Sequence, residues 1–153
     1  GPCNLLDYEL EMGFFVGGPG NKMGDTIKIA EADDSIFGFC LMNDWSARDI
    51  QAWEYVPLGP FTAKNFCTSI SPWIVSLDAL ADFKCNSSIG PVQADPTPLP
   101  YLQDPNYATG SYNVNLDISI QGENDAKASV ISRSNLKFMY WNFKQHQRHI
   151  IIH

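Results

Sequence analysis

The chain has 153 residues, enough for one domain with a substantial hydrophobic core. Hydrophobic residues make up 44% of it and aromatic residues 12%, which is typical of a globular domain. The net charge is −7 at pH 7 and no basic patch or basic helix is visible, so neither nucleic acid nor an anionic membrane is an expected partner. No apolar run approaches the length needed to span a bilayer.

The cysteines are widely spaced and contain no CxxC pair, which argues against a zinc site. Their positions are Cys3, Cys40, Cys67 and Cys85. Cys40 lies in an apolar run and is expected to pack as a small core residue. The scattered cysteines and the lack of a signal-peptide pattern lead us to expect a reduced intracellular protein, located in the cytoplasm.

The first predicted element is a strand over residues 5–16, ended by glycines and a proline. Because side chains alternate along a strand, Asp7, Glu9 and Glu11 face one way. Carboxylates two residues apart on a strand lie about 7 Å from each other, close enough to converge on one hard cation. A solvated acidic face is the alternative. The apolar residues 14–16 favour a buried strand, in which an unpaired charge is costly.

After a short helical piece over residues 31–35, a strongly apolar run over residues 36–42 predicts a buried strand. A helix over residues 46–55 follows it, and prolines then end the helix. Ser46 is the predicted N-cap of this helix, with Asp49 three residues on in a capping-box-like position.

One face of this helix carries a cation, an amide and a phenol, at i, i+3 and i+7: Arg48, Gln51 and Tyr55. Asp44 lies at the exit of the preceding strand and points into the same neighbourhood. A carboxylate beside these three groups suggests a binding or catalytic site. The alternative is that Asp44 only caps the helix and that Arg48 pairs with Glu54 or Asp49.

Residues 61–71 are predicted to form a loop rich in hydroxyl groups, with Lys64 as its only basic residue. Near carboxylates this lysine can stabilise a developing anion, and the alternative is a solvent-exposed side chain. A strand over residues 72–76 and a turn of helix over residues 77–83 come next. Residues 87–110 contain too many prolines for a regular element and are predicted to be a loop.

The last third of the chain predicts a hairpin followed by a helix. Residues 112–120 alternate apolar and polar without a miss, and residues 126–132 return as their partner. Residues 134–145 have the apolar spacing of a helix. The tail, residues 146–153, holds all the histidines of the chain, and we expect these to be mobile and exposed: His146, His149 and His153. The overall expectation is a mainly β fold with a few helices, of the α+β class.

In combination, these segments resemble the fumarylacetoacetate hydrolase family. The likeness is carried by residues 5–12, 41–51, 53–61, 68–73 and 133–135, and it extends to about residue 145. The ExE pair with MNDWSARD is specific to the family, and WEYVPLGPF points to the branch that acts on fumarylacetoacetate. The resemblance implies a mixed β-sandwich roll. Residues 1–145 would form an incomplete part of that catalytic domain, and residues 146–153 a tail that departs from the family pattern.

The resemblance implies a metal-dependent hydrolase that cleaves a carbon–carbon bond of a small β-diketo acid. In the family branch, 4-fumarylacetoacetate becomes fumarate and acetoacetate, a step of tyrosine and phenylalanine catabolism, and the enzyme is a homodimer. Hard oxygen ligands suit the expected Ca²⁺ or Mg²⁺ better than zinc. Other family chemistry remains open, namely an acylpyruvate hydrolase, an oxaloacetate decarboxylase or an isomerase. A non-catalytic metal-binding chain is a further alternative.

Carried over residue by residue, the resemblance assigns roles to several positions of this chain. Those that match metal-binding positions are Glu9, Glu11, Asp44, Lys64 and Thr68. Lys64 and Arg48 are the expected catalytic cations, while Gln51 and Tyr55 match substrate-binding positions.

Three functional groups of the family have no counterpart in this chain. The general-base histidine and a fourth metal carboxylate come from a segment before the ExE strand, and a substrate-binding threonine comes from a later one. The histidines of the tail do not follow the family pattern and are not assigned to the missing base. We therefore expect an internal fragment with little activity alone, since losing a general base costs about 10²–10⁴-fold in rate.

Overall fold

The computed structural model describes residues 1–152. Its strands are β1 (Leu6–Asp7), β2 (Leu10–Val16), β3 (Ile36–Asp44), β4 (Ser46–Ala47), β5 (Thr68–Ile70), β6 (Val75–Ser76), β7 (Lys84–Cys85), β8 (Ser111–Tyr112), β9 (Asn115–Ile120) and β10 (Ser129–Asn135). The α-helices are α1 (Arg48–Glu54), α2 (Leu77–Leu80) and α3 (Phe143–Ile152). Shorter 3-10 segments are Ile29–Ser35, Ala81–Phe83, Pro100–Leu102, Tyr107–Thr109 and Leu136–Phe138. The α+β class expected from the sequence is confirmed.

The strands form several small sheets. The largest has the order β2–β3–β5, and β6 also pairs with β3. In the antiparallel β3–β5 pair, Asp44 lies opposite Thr68. The pairs β1–β4, β7–β8 and β9–β10 are each antiparallel, and the last is the predicted hairpin. Glycine is required where β6 pairs with β3, because a Cβ at Gly38 would lie 2.8 Å from the carbonyl oxygen of Val75.

The chain divides into two compact units, one of residues 1–15 and 38–76 and the other of residues 16–37 and 77–152. The core of the first unit contains Phe39 and Cys40, and the ring of Phe14 packs edge-on against Phe39. The prediction that Cys40 is a core residue is therefore confirmed. All four cysteines are free. Among the described residues, no helix has the length and apolarity that a membrane crossing requires.

The N-terminal strand differs from its prediction in two respects. Tyr8 and Glu9 interrupt it, so that β1 and β2 are separate strands with different partners. The C-terminal end of β2 is not buried, since Phe15 is 40% exposed and Val16 59% exposed. The expectation of a buried strand at residues 14–16 was therefore wrong.

Helix α1 begins without the predicted cap. Ser46 belongs to β4, and its hydroxyl donates to the carbonyl of Asp44 at 3.1 Å. Ala47 is the N-cap and has no side-chain acceptor to offer. The Asp49 carboxylate instead accepts the backbone N–H of Asn4 at 2.8 Å and that of Ile50 at 3.0 Å. The capping-box prediction was wrong because Asp49 binds the N-terminal segment of the chain.

The predicted helix over residues 134–145 was also wrong, since β10 continues to Asn135 and α3 begins only at Phe143. A reciprocal pair of hydrogen bonds marks the true start. The side-chain oxygen of Asn142 accepts the N–H of Gln145, and the side-chain oxygen of Gln145 accepts the N–H of Asn142, both at 3.0 Å. This is a capping box, and it outweighs the apolar spacing upstream.

Residues 146–152 of the expected tail are thus part of α3. His146 and His149 are exposed, as predicted, but they lie on this helix, and the ring of His149 stacks on that of Tyr101. His153 lies outside the described residues.

The buried phenol of Tyr112 makes the stability of the second unit sensitive to alkaline pH. Burial, reinforced by the nearby Asp33 carboxylate, raises the pKa of Tyr112 to about 12. The pKa in the folded state lies above that of an unfolded chain, about 10. Stability that is fully present below pH 10 is therefore lost as the pH rises through about 12, by about 3 kcal/mol in all.

We expect the free energy of unfolding, measured by urea titration, to fall between pH 9 and pH 12 by about 2 kcal/mol less in Tyr112→Phe than in the unchanged chain. Tyr55→Phe is the control, because Tyr55 is 54% exposed. Equal losses in the two tyrosine variants would contradict the prediction.

Candidate functional site

The first unit contains a cluster of charged side chains around Glu9, which lies between β1 and β2. The backbone N–H of Asp44, at the end of β3, donates to the carbonyl of Glu9 at 3.1 Å. The backbone N–H of Glu9 in turn donates to the side-chain oxygen of Asn43 at 3.1 Å. These two bonds hold Glu9 beside Asp44. The residues that they join are far apart in sequence, since Glu9 and Asn43 are 34 positions apart.

Three carboxylates converge at this point. Each of Glu9, Glu11 and Asp44 offers an oxygen, and these oxygens all lie within 4.8 Å of one another. That is closer than the separation of about 7 Å expected for alternate residues on a regular strand. All three side chains are partly buried. This burial does not fit the alternative of a fully solvated acidic face, and Asp44 does not cap α1, whose N-cap is Ala47.

Lys64 lies against two of these carboxylates. Its Nζ is 2.6 Å from Oε2 of Glu9 and 3.1 Å from Oδ2 of Asp44, and the side chain is only 16% exposed. The solvent-exposed alternative for Lys64 was thus wrong. Burial lowers the pKa of Lys64, but its bonds to Glu9 and Asp44 more than offset this, and the net shift is upward. The ammonium group stays charged at neutral pH.

Arg48, the first residue of α1, connects three partners. Its Nε donates to Asp7 at 2.9 Å, its Nη2 to Glu9 at 2.8 Å and its Nη1 to Oε1 of Gln51 at 3.1 Å. The pairing of β1 with β4 places Asp7 opposite Ser46, within reach of the arginine. The alternative pairing of Arg48 with the carboxylates of α1 was therefore wrong. The role of Asp7 as its partner was missed, although alternation had placed Asp7 and Glu9 on one face.

The carboxylates of the cluster differ in their proton affinity. The hydrogen bond from Lys64 lowers the pKa of Glu9, and Arg48 contributes in the same direction. Burial raises the pKa of Glu11, and the nearby charges of Asp44 and Glu9 add to this rise. The excess negative charge of the cluster is therefore felt most strongly at Glu11.

The charges of the cluster do not balance. The cluster contains four carboxylates and two cations, which leaves two excess negative charges. Its members are Asp7, Glu9, Glu11, Asp44, Arg48 and Lys64. Three converging hard oxygens with this charge match the ligand preference of Ca²⁺ or Mg²⁺. The residues present fit such an ion.

The remaining predicted site residues occupy different positions. Thr68 is the cross-strand neighbour of Asp44, so their Cβ atoms are about 4.5–5.5 Å apart. Gln51 reaches the cluster through its bond to Arg48. Tyr55 follows the last turn of α1 and is 54% exposed. Within residues 1–152, the Tyr55 hydroxyl is not among the groups bonded to the cluster.

Glu54, which sequence reasoning missed, holds the segment that carries Lys64. Its carboxylate accepts hydrogen bonds from the backbone of Phe61, Thr62 and Ala63. One signal was available in the sequence. A glutamate at the C-terminal end of a helix opposes the helix dipole, so its presence there indicates a compensating local partner.

Comparison with known proteins adds to this geometry. Residues 1–150 match the family model described as fumarylacetoacetate (FAA) hydrolase C-terminal. The chain is 53% identical to fumarylacetoacetase of Bos taurus over 150 residues and 51% identical to that of Homo sapiens over 150 residues. It is 50% identical to fumarylacetoacetase of Arabidopsis thaliana over 149 residues. Each alignment covers 97% of this chain and 34% of the relative, so the chain spans about a third of the length of these curated relatives.

The fold has a counterpart among solved structures. The crystal structure of Cg1458 superposes with a TM-score of 0.64 and 17% sequence identity, covering 98% of this chain and 45% of that one. At this identity the likeness shows a shared fold. The match of the family model to 150 of the 153 residues shows more. The chain belongs to the fumarylacetoacetate hydrolase family, as a part of its C-terminal domain.

Proposed function

We propose that this chain carries the metal-binding and anion-stabilising part of a hydrolase that cleaves a carbon–carbon bond of a β-diketo acid. The proposed substrate is 4-fumarylacetoacetate, and the products are fumarate and acetoacetate, in tyrosine and phenylalanine catabolism. The observation that carries the proposal is the convergence of Glu9, Glu11 and Asp44 within 4.8 Å, beside two cations. About 50% identity to fumarylacetoacetases supports the choice of substrate.

The donor set supports Ca²⁺ or Mg²⁺ as the cofactor. Glu9, Glu11 and Asp44 would hold the ion, with Thr68 and Lys64 next to it. When bound, such an ion polarises substrate oxygens as a Lewis acid. The two excess negative charges of the cluster are those that a divalent cation neutralises.

In the proposed hydrolysis, the hydroxyl group of water bonds to the ketone carbon on the fumaryl side and the adjacent carbon–carbon bond breaks. The electron pair leaves with the acetoacetate carbon as an enolate, which then takes up a proton. An ammonium group has three N–H donors, and two of those on Lys64 are directed at Glu9 and Asp44. The third is available to the developing oxyanion, and the guanidinium of Arg48 adds positive charge beside it.

The other assigned residues act on the bound substrate. Gln51 and Tyr55 are proposed to contact and orient it. This chain spans about a third of its relatives' length. The proton of the attacking water is proposed to pass to a base in the part of the whole protein that lies outside it. The whole protein is proposed to be a cytoplasmic homodimer, as the family resemblance implies.

Metal binding can be tested on the chain itself. We expect Ca²⁺ or Mg²⁺ at about 100 times its Kd to stabilise the fold by about 2.7 kcal/mol. For a domain of this size that raises the Tm by about 5–10 °C. Asp44→Ala and Asp44→Asn should both abolish the shift, because a ligand oxygen and its charge are lost.

The control is Asp117→Ala, which removes an exposed carboxylate paired with Arg133 on the hairpin. This variant should keep the full metal-dependent shift in a thermal melt. If neither ion shifts the Tm of the unchanged chain, the metal assignment fails.

The reaction is tested on the whole protein by fumarate release from fumarylacetoacetate, with acylpyruvates and oxaloacetate as competing substrates. Faster turnover of a competing substrate would overturn the choice of reaction.

A further inference from the structure

The carboxylate of Glu54 is surrounded by donors from one short segment. Its Oε1 accepts the backbone N–H of Phe61 at 2.6 Å and that of Ala63 at 2.8 Å. Its Oε2 accepts the backbone N–H of Thr62 at 3.2 Å and the Thr62 hydroxyl at 2.6 Å. Three consecutive backbone N–H groups thus converge on a single side chain, and such charge-assisted bonds are roughly twice as strong as neutral ones.

The segment held by Glu54 runs directly into Lys64. The N–H of Lys64 donates to the carbonyl of Phe61 at 3.0 Å, which closes a turn. Ala63 is fully buried, and its carbonyl accepts the N–H of Ala47 at 2.9 Å, just before α1 begins. The backbone at Lys64 is therefore tied to the region before α1 through Ala47 and to the end of the helix through Glu54.

The position of this backbone matters because a lysine side chain is long and flexible. Holding it in one geometry costs rotamer entropy. A fixed Cα reduces the set of conformations from which Nζ has to reach both Glu9 and Asp44. The bond from Thr62 and those from the backbone lower the pKa of Glu54, so this carboxylate stays ionised at neutral pH and continues to accept these hydrogen bonds.

We propose that Glu54 is a positioning residue for Lys64. By anchoring residues 61–63 to the last turn of α1, it sets where the ammonium group stands relative to the carboxylates and to substrate. Helix α1 then places both cations of the site, Arg48 directly from its first residue and Lys64 through its last. The inference rests on the proposed function, because the part of Lys64 in the reaction is itself proposed.

Steady-state kinetics of the whole protein test the inference. Glu54→Ala should lower kcat by about 10–100-fold with KM changed less than about threefold, since a misplacement of 1 Å can cost about 10²-fold. Glu54→Gln should recover part of this loss, because its amide oxygen can still accept two N–H groups and the Thr62 hydroxyl can accept from its amide nitrogen. Thr62→Val removes one bond and should lower kcat only by about 2–5-fold. Glu31→Ala, an exposed glutamate of the second unit, should leave kcat unchanged.

A double-mutant cycle with Lys64→Met separates positioning from a general structural role. If Glu54 acts through Lys64, adding Glu54→Ala to Lys64→Met should change kcat less than about twofold. Equal falls of kcat in both backgrounds would overturn the inference, as would an unchanged kcat in Glu54→Ala alone. A normal kcat in Lys64→Met would instead overturn the proposed role of Lys64. Should Glu54→Ala fail to fold, the same cycle is run with Glu54→Gln.

Discussion

Replacing Lys64 with methionine is expected to lower kcat of the whole protein by about 10²–10³-fold, the effect typical of removing one donor to an oxyanion. Methionine keeps most of the length of the side chain and removes its charge. Binding of the ground-state substrate relies on Gln51 and Tyr55 in our proposal, so KM should change by no more than a factor of a few. The measurement is initial-rate kinetics of fumarate release at saturating metal.

The same variant has a second readout on the chain alone. Without the ammonium group, Glu9, Glu11 and Asp44 repel one another, and the metal-free chain should lose about 1–3 kcal/mol of unfolding free energy. Ca²⁺ supplies the missing positive charge, so its stabilising effect should be larger in the variant than in the unchanged chain. Lys28→Met is the control, because Lys28 is 80% exposed and lies in the second unit. An unaltered kcat would remove Lys64 from the mechanism.

Replacing Glu11 with glutamine is expected to have opposite effects on stability and on metal binding. Glu11 is the carboxylate whose pKa is raised by burial and by the charges of Asp44 and Glu9. A group with a raised pKa in the folded state contributes stability that is fully present below its unfolded pKa and is lost as the pH rises through the folded one. At neutral pH the carboxyl group of Glu11 therefore costs the chain stability, and glutamine removes that cost.

Thermal melts at pH 7 with and without Ca²⁺ or Mg²⁺, and metal-free melts over a series of pH values down to below 4, test this expectation. Metal-free Glu11→Gln should be about 0.5–2 kcal/mol more stable than the unchanged chain, and the two should converge as the pH falls below 4. The metal-dependent rise in Tm should be lost. Glu31→Gln, whose side chain is 57% exposed, should alter neither quantity. A Glu11→Gln variant that is less stable without metal would contradict the electrostatic reading of the cluster.

The part of the site that depends on short-range rules could be predicted from sequence. Alternation along a strand places Glu9 and Glu11 together, and a strand end followed by a helix places Asp44 near Arg48. The partners of the two cations could not be predicted in this way. Lys64 meets Glu9 across 55 residues and Arg48 meets Glu9 across 39, and no local pattern reports which of several carboxylates a distant cation will reach.

The fold shows where local signals compete. For the C-terminal helix, apolar spacing over residues 134–145 conflicted with the caps at Asn142 and Gln145, and the caps decided where the helix begins. For α1, the sequence predicted Ser46 as the N-cap, but Ser46 belongs to β4, which pairs with β1. The predicted fold class was correct despite these errors, because it depends on the number and type of elements rather than on their boundaries.

The excess negative charge around Glu9 affects the order in which the cation and the substrate bind. The proposed substrate, fumarylacetoacetate, carries two carboxylates at neutral pH, so the cation-free cluster should repel it over roughly a Debye length. We expect the cation to bind first, because it cancels the excess charge of the cluster and so removes the repulsion of the dianion. Binding should accordingly be ordered, and added salt should speed capture of the dianion by the cation-free protein but have little effect once the cation is bound.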